Sequence, residues 1–406
     1  MMPFYGWIVV AVGIAVTCVG FGGMLSLGVF LQPISEAMGW TRTAISTVAL
    51  LNFLSMGVGS FVWGALSDRI GTRAVVLLGG ALLGLGTVTA SHATTVAQFQ
   101  IYFGVVVGFA AGSLYAPMTA TTARWFTKRR SLAVALVSAG LGLGSTTTAP
   151  LARWLITTYD WRAALLALGV LAWVVIVPAA LLVREPSSPA GAGRSLALTG
   201  SGRELTVAQA LRTPQFVAIA GTYFACCAAH SGPIFHMVTH AIDHGVPVMA
   251  AATALSTAGL ASLCGKIGCG LMADRIGAKR VLLAGLTLQA VIISLYLLTR
   301  ETWHFYAVAL VFGFAYGGVM PLYAILVREY FGARIMGAVF GAAGFASTMG
   351  MALGPVVGGW LYDAFGSYAG LFIGSSAIGL GAVAIACTFR PPRPVSPPLE
   401  AVGAAS

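Results

Sequence analysis

Charged side chains are scarce in this 406-residue sequence: they make up 8% of it, against 58% hydrophobic residues and a mean hydropathy of +0.90. So little charge cannot cover a water-facing surface, which excludes a soluble globule. Acids are scarcer still. All eleven (Glu36, Asp68, Asp160, Glu185, Glu204, Asp243, Asp274, Glu301, Glu329, Asp363 and Glu400) fall in loops, tails or the ends of apolar runs. A carrier that expels drugs or cations needs a buried acid, and none is found. No glycine string ends in Gly-Lys-Ser/Thr, and no polar segment is long enough to fold as an ATPase. The six cysteines (Cys18, Cys226, Cys227, Cys264, Cys269 and Cys387) lie inside apolar runs without zinc or redox spacing, so neither disulfides, a metal site nor a cofactor is expected. Nothing marks an enzyme.

What the sequence has is length in its apolar runs. A membrane crossing takes ~20 apolar residues for ~30 Å of hydrocarbon. Twelve stretches meet that requirement: 6–31, 43–66, 74–91, 97–123, 131–156, 163–183, 215–242, 249–273, 281–298, 304–327, 335–360 and 368–389. Backbone groups inside lipid must bond within the chain, and runs this uniform do so as helices, not as alternating barrel strands. The expected fold class is an all-α membrane protein, twelve transmembrane helices in two pseudo-symmetric six-helix bundles. The first run starts at Gly6 without a basic leader or small-residue cleavage pattern, so it is expected to be a retained helix.

The net charge of +11 reports orientation and does not call for a nucleic-acid partner. Seventeen of the 22 basic residues, including Arg69, Arg73, Arg124, Arg130, Arg275, Lys279 and Arg328, sit in one alternate set of loops and tails; the opposite set holds only Arg42, Arg153, Arg162 and Arg300. The positive-inside rule makes the first set cytoplasmic, together with both termini. The longest polar interruption, 184–213, is rich in proline, glycine and serine and reads as a cytoplasmic linker. It separates an N-terminal bundle (1–183) from a C-terminal bundle (214–390), after which a cytoplasmic tail (391–406) follows.

The halves echo each other. Gly64-Ala-Leu-Ser-Asp68-Arg69-Ile70-Gly71-Thr-Arg73 recurs as Gly270-Leu-Met-Ala-Asp274-Arg275-Ile276-Gly277-Ala-Lys279, at a constant offset of 206 residues and after the second run of each half. Internal duplication of this kind builds transporters that place a site between two rocking bundles. The glycines permit tight turns, and the charged residues Asp68, Arg69, Arg73, Asp274, Arg275 and Lys279 are candidate latches for one closed state. A plain solvated turn is the blander reading of either copy taken singly.

One charge interrupts the apolar runs. Lys266 lies eight residues before Asp274, ~12 Å along a helix, where a lysine costs ~2.5–3.5 kcal/mol by insertion scales. No acid within the runs compensates it, so a substrate carboxylate is a candidate partner; snorkelling to the interface is the plainer alternative. His236, His240 and His244 repeat at i, i+4 and i+8, with His230 deeper in the same run. Histidines near a membrane interface are ordinary, and a side chain that titrates near neutral pH suits proton carriage better than metal binding. Tyr115 and Tyr316 sit in glycine-rich helix middles where a phenol can reach a pocket or simply pack. The strings around Gly20, Gly140–Gly144 and Gly350–Gly359 suit close helix contacts and hinges.

The two Gly-x-x-x-Asp-Arg-x-Gly-x-Arg/Lys turns resemble the loop signature of the major facilitator superfamily. Tyr5-Gly6-Trp7-Ile8-Val9-Val10, Gly28-Val29-Phe30-Leu31-Gln32-Pro33, Gly39-Trp40-Thr41-Arg42 and Tyr159-Asp160-Trp161-Arg162 resemble its bacterial monocarboxylate-porter branch, which includes the oxalate/formate exchangers. Gly354-Pro355 with Gly358, and Tyr362-Asp363-x-x-Gly366-Ser-Tyr368, agree. The resemblance implies a monomer in the bacterial inner membrane, with Lys266 pairing the substrate carboxylate, His236 near the substrate, Tyr115 and Tyr316 around it, and Met24, Leu27 and Leu141 against its aliphatic end. Many members carry arginine where Lys266 stands, and lysine gives up the bidentate fork. Proton coupling falls to His236, Lys266 or His230. The implied function is proton symport of a small carboxylate such as lactate or pyruvate, with anion exchange of the oxalate/formate type as the alternative. Drug efflux is the weakest reading: the glycine-proline string that resembles an antiporter signature lies in the eleventh run, not the fifth.

Overall fold

The structure, a computed structural model, describes residues 3–40, 42–186 and 205–390. Most of the expected linker and all of the tail after 390 lie outside the described residues. Twelve helices are long and apolar enough to span a membrane: Phe4–Leu25, Thr47–Ile70, Thr72–Ser91, Val96–Trp125, Arg130–Thr158, Trp161–Leu181, Pro214–Asp243, Met249–Ile276, Ala278–Leu298, Thr302–Phe331, Met336–Tyr362 and Ala369–Cys387. They match the twelve expected runs one for one. The largest discrepancy is in the first, which ends at Leu25 because a separate helix, Leu27–Met38, follows Ser26.

Local chemistry sets the ends. Thr95 caps the fourth span through a capping box with Gln98, Asp160 accepts from the Ala163 N–H at the start of the sixth, and Thr213 followed by Pro214 opens the seventh. Gly71 (φ 87°) and Gly277 (φ 92°) make the duplicated turns, in a region of backbone space that L side chains avoid. Two spans are irregular. The fourth begins with a π-helical stretch, Gln100–Val107, where Asn52 Nδ2 donates to the Phe103 carbonyl at 2.8 Å. The tenth changes course at Met320 and Pro321, before Leu322–Phe331.

Each half has its own buried core, around Phe30, Phe99, Phe103 and Trp161 in the first and Tyr296, Phe305, Phe312 and Phe372 in the second. A third cluster crosses the boundary: Ala116, Ala120, Ala123 and Val134 of the first half join Tyr223, Cys226, Leu322–Val327 and Phe340 of the second. Large apolar side chains are exposed on the third, sixth, ninth and twelfth spans, among them Leu78, Val174, Val291 and Ile373. Outward-facing apolar surface of this kind is stable against lipid and not against water. The chain is a multi-pass membrane protein. A shallow groove of about 560 Å³ between the ninth and twelfth spans, lined by Leu283, Leu288, Val291 and Val383, belongs to this apolar exterior.

Besides that cluster, the halves meet most extensively along two helix pairs, the second with the eleventh span and the fifth with the eighth. Glycines set the closeness. A Cβ at Gly64 would run into the Gly337 carbonyl, one at Gly341 into the Ser60 carbonyl, and one at Gly270 against the backbone of Ser131.

Candidate functional site

At the face where the basic loops lie, the duplicated turns engage the opposite half in matching ways. Asp68 accepts from the Gly337 and Ala338 N–H groups at 3.2 and 2.9 Å, the second and third residues of the eleventh span. Asp274 accepts from Ser131 and Leu132 at 2.9 and 3.2 Å, the second and third residues of the fifth. Each carboxylate thus fills the unsatisfied donors and positive dipole end of a helix in the other half. The two latches differ in support. Arg124 pairs with Asp68 at 2.6 Å and donates through Nε to the Ala333 carbonyl, so it too ties the halves together. Asp274 forms no ion pair within 4 Å among the described residues.

The remaining charged residues of the duplicated turns take other positions. Lys279 donates to the carbonyls of Cys387 and Phe389 and so closes the end of the twelfth span. Arg69, Arg73 and Arg275 form no ion pair among the described residues. Sequence reasoning missed Arg124 because its partner is 56 residues away and an arginine at a span end looks like any other positive-inside residue.

Deeper in, Lys266 is 7% exposed, and among the described residues it has neither an ion pair nor a hydrogen bond. Its ammonium lies against the fifth span of the opposite half: a Cβ built on Gly142 would stand 3.7 Å from Nζ and 3.4 Å from Leu263 Cδ1. One turn away on the eighth span, Ser262 is the polar neighbour of the Tyr316 hydroxyl. The Tyr316 ring in turn lies 5.3 Å from that of His230. Ser262, Tyr316 and His230 therefore form a polar strip within the second half, with Lys266 one turn from Ser262 on the eighth span.

Tyr115 is enclosed between Phe21 and Phe340, at centroid distances of 6.4 and 5.8 Å, so it touches both halves. Its hydroxyl neighbours Ser138 and Thr119. Beside it lies a pair that sequence reasoning did not single out or ranked low, Tyr223 and Tyr323, stacked at 4.0 Å with an interplanar angle of 9°. Their only sequence signal is tyrosine in an apolar run, which does not separate packing from a polar path.

His236 is placed elsewhere. Its Nε2 donates to the Pro355 carbonyl at 3.1 Å and its ring lies 4.9 Å from Tyr368, between the seventh, eleventh and twelfth spans. No described contact joins it to Lys266. His240 donates to the Tyr296 carbonyl and His244 to the His240 carbonyl, so the i, i+4, i+8 rings turn to separate backbone acceptors. Of the apolar candidates, Leu27 is buried and Leu141 half-buried in the core of the first half. Met24 lines a cavity of about 10 Å³ with Val19, Leu83, Thr87 and Leu168, inside that half.

Two matching carboxylate latches at one face, a polar strip in the second half and two six-helix halves are the arrangement of a membrane transporter. The family profile described as Major Facilitator Superfamily matches residues 12–270 and 221–405. Monocarboxylate transporter 13 of Bos taurus is 29% identical over 92% of this chain and 86% of its own length; monocarboxylate transporter 11 of Mus musculus is 30% identical over 91% and 84%. An uncharacterized transporter of Escherichia coli, YhjX, is 25% identical over 79% and 80%. In fold the chain matches FucP in the outward conformation (TM-score 0.71, 13% identity, 93% of this chain and 98% of that one) and the human organic anion transporter MFSD10 (0.73, 18%, 95% and 100%). The chain belongs to the Major Facilitator Superfamily, and within it is a transporter of the monocarboxylate-transporter type, not an enzyme.

Proposed function

We propose that the protein carries small monocarboxylates of the lactate and pyruvate class together with a proton, by alternating access around Lys266. The observation that carries this reading is the buried ammonium of Lys266, which rests against Gly142 with no counter-ion among the described residues. A cation held in low dielectric without a partner is stabilised by an anionic cargo. The relatives named as monocarboxylate transporters support that choice of substrate class. A carboxylate on Lys266 has the hydroxyls of Ser262 and Tyr316 within the same strip, and His230 behind them is the proton carrier we favour over His236, which is engaged with Pro355.

The excess of arginine and lysine at the latched face supports a cytoplasmic position for that face and for both termini, so the latches close the cytoplasmic side and the arrangement is outward-facing. Purified protein in liposomes is expected to accumulate labelled lactate, pyruvate or acetate with stoichiometric internal acidification, and Lys266→Ala is expected to abolish both. Uptake without proton movement would assign the chain to anion exchange, and undiminished uptake by Lys266→Ala would remove the lysine from the site.

A further inference from the structure

Six buried side-chain nitrogen or oxygen atoms among the described residues lack a hydrogen-bond partner. Five of the six belong to the fourth, seventh and tenth spans: the hydroxyls of Thr122 and Thr222, Arg328 Nη1, and the hydroxyls of Tyr115 and Thr119, which neighbour each other and Ser138 without reaching hydrogen-bond geometry. Buried polar groups left this way are costly and rare, so their concentration on three spans calls for a cause.

Helix geometry does not supply it. Threonines elsewhere in the spans satisfy themselves by bonding back one turn, as Thr17 does to Gly13, Thr87 to Leu83, Thr157 to Arg153 and Thr253 to Met249. Thr119 and Thr122 do not, although the same carbonyls are within reach of their helix. With Tyr115 they stand at i, i+4 and i+7, one face of the fourth span that descends from mid-membrane towards Arg124. The adjoining face, with Ala116, Ala120 and Ala123, packs against Leu322–Val327 of the opposite half. Across the stripe stands the fifth span, whose Ser138 neighbours Tyr115. Two turns further down the fifth span, Ser131 hands its N–H to Asp274. At the bottom, Arg328 lies near Arg130 and Arg124, both of its own sign, and forms no ion pair among the described residues.

We propose that these groups form a second carboxylate subsite on the cytoplasmic side of Lys266, the release station of the transport path, hidden in this structure because the cytoplasmic latches are closed. Resting on the carboxylate reading above, it extends that reading from one cation to a sequence of two. Tyr115, Thr119 and Thr122 donate to the anion as it leaves Lys266. Arg328 is the charge that draws it to the cytoplasmic mouth. With the latches closed these donors are enclosed beside the boundary where the fourth and tenth spans meet.

Two-sided kinetics test it, using right-side-out and inside-out membrane vesicles with whichever of labelled lactate, pyruvate or acetate the wild-type chain transports. Thr119→Val and Thr122→Val are expected to raise the half-saturating concentration at the cytoplasmic side three- to tenfold each and to leave the external value within twofold. Thr122→Ser keeps the hydroxyl and is expected to stay near wild type, and Arg328→Lys is expected to lose less than Arg328→Gln. An equal rise on both sides, no rise on either, or a cytoplasmic rise matched by an external fall would overturn the subsite, the last because it marks a shifted conformational equilibrium. In each of those cases Lys266-dependent uptake by the wild-type chain would still stand, whereas wild-type protein that moves none of the three acids refutes the carboxylate reading itself.

Discussion

Lys266 and Gly142 face each other across the boundary between the two halves, so close that a Cβ on the glycine would lie 3.7 Å from the ammonium. The lysine moves with the second half and the glycine with the first. Whatever neutralises the ammonium therefore sits where it feels both bundles, which is the condition for a bound ligand to bias one arrangement over the other.

That relationship makes Gly142 a sensitive place to add charge. In Gly142→Asp an internal carboxylate would compete with substrate for the ammonium, and uptake is expected to fall at least tenfold. Gly142→Ala, whose methyl makes only ordinary contacts with Leu263 and Lys266, is expected to keep most of it. Labelled-carboxylate uptake at matched expression compares the two. If the aspartate variant transports normally, the ammonium does not receive the cargo.

Charge type at 266 is a separate question. Lys266→Gln keeps length and removes charge, and is expected to reduce uptake ~100-fold, since a buried charge-assisted bond is worth about 2–3 kcal/mol. Lys266→Arg keeps the charge and offers a fork, but must fit a larger group beside Gly142. It is expected to retain binding in a thermal-shift titration with the carboxylate while turning over more slowly.

The two latches are unequal, and their unequal support sets an order. Asp68 has the Arg124 guanidinium in addition to two N–H donors, whereas Asp274 has two N–H donors and no ion pair among the described residues. Asp68→Asn is therefore expected to loosen the latched face more than Asp274→Asn does. Hydrogen–deuterium exchange should report it: faster exchange at Gly337–Val339 in the first variant than at Ser131–Ala133 in the second. Equal protection of both segments in both variants would mean that the carboxylates do not hold the face shut.

The parts legible in the sequence were those with a local signature. Twelve apolar runs, a repeat at a fixed offset and a lysine inside a run are each visible within about thirty residues of chain, because lipid imposes them locally. The targets of Asp68 are 269 and 270 residues away and are backbone N–H groups, which carry no residue identity for a reader to recognise. Arg124 and Arg328 look like ordinary positive-inside residues until the fold shows one paired with Asp68 and the other with no ion pair among the described residues. Thr119 and Thr122 are more hidden still: threonine in a helix is commonplace, and only the direction of its hydroxyl distinguishes these two. For Met24 the resemblance implied a place beside substrate, and the structure shows it lining a small cavity within the first half.

Gly64 gives the strictest steric expectation. Its Cα meets the Gly337 carbonyl so closely that an alanine methyl would overlap backbone, which unlike a flexible side chain cannot swing aside. The second and eleventh spans would have to separate, and with them the Gly337 and Ala338 N–H groups would leave Asp68. Gly64→Ala is therefore expected to disfavour closure at the latched face, to slow uptake roughly tenfold and to raise exchange at Gly337–Val339 in the absence of substrate. Gly259→Ala serves as the control, since a methyl there meets nothing within 4 Å and should change neither measurement. Should Gly64→Ala transport at the wild-type rate with an equally protected eleventh span, the close crossing of these helices would not be a condition of the cycle.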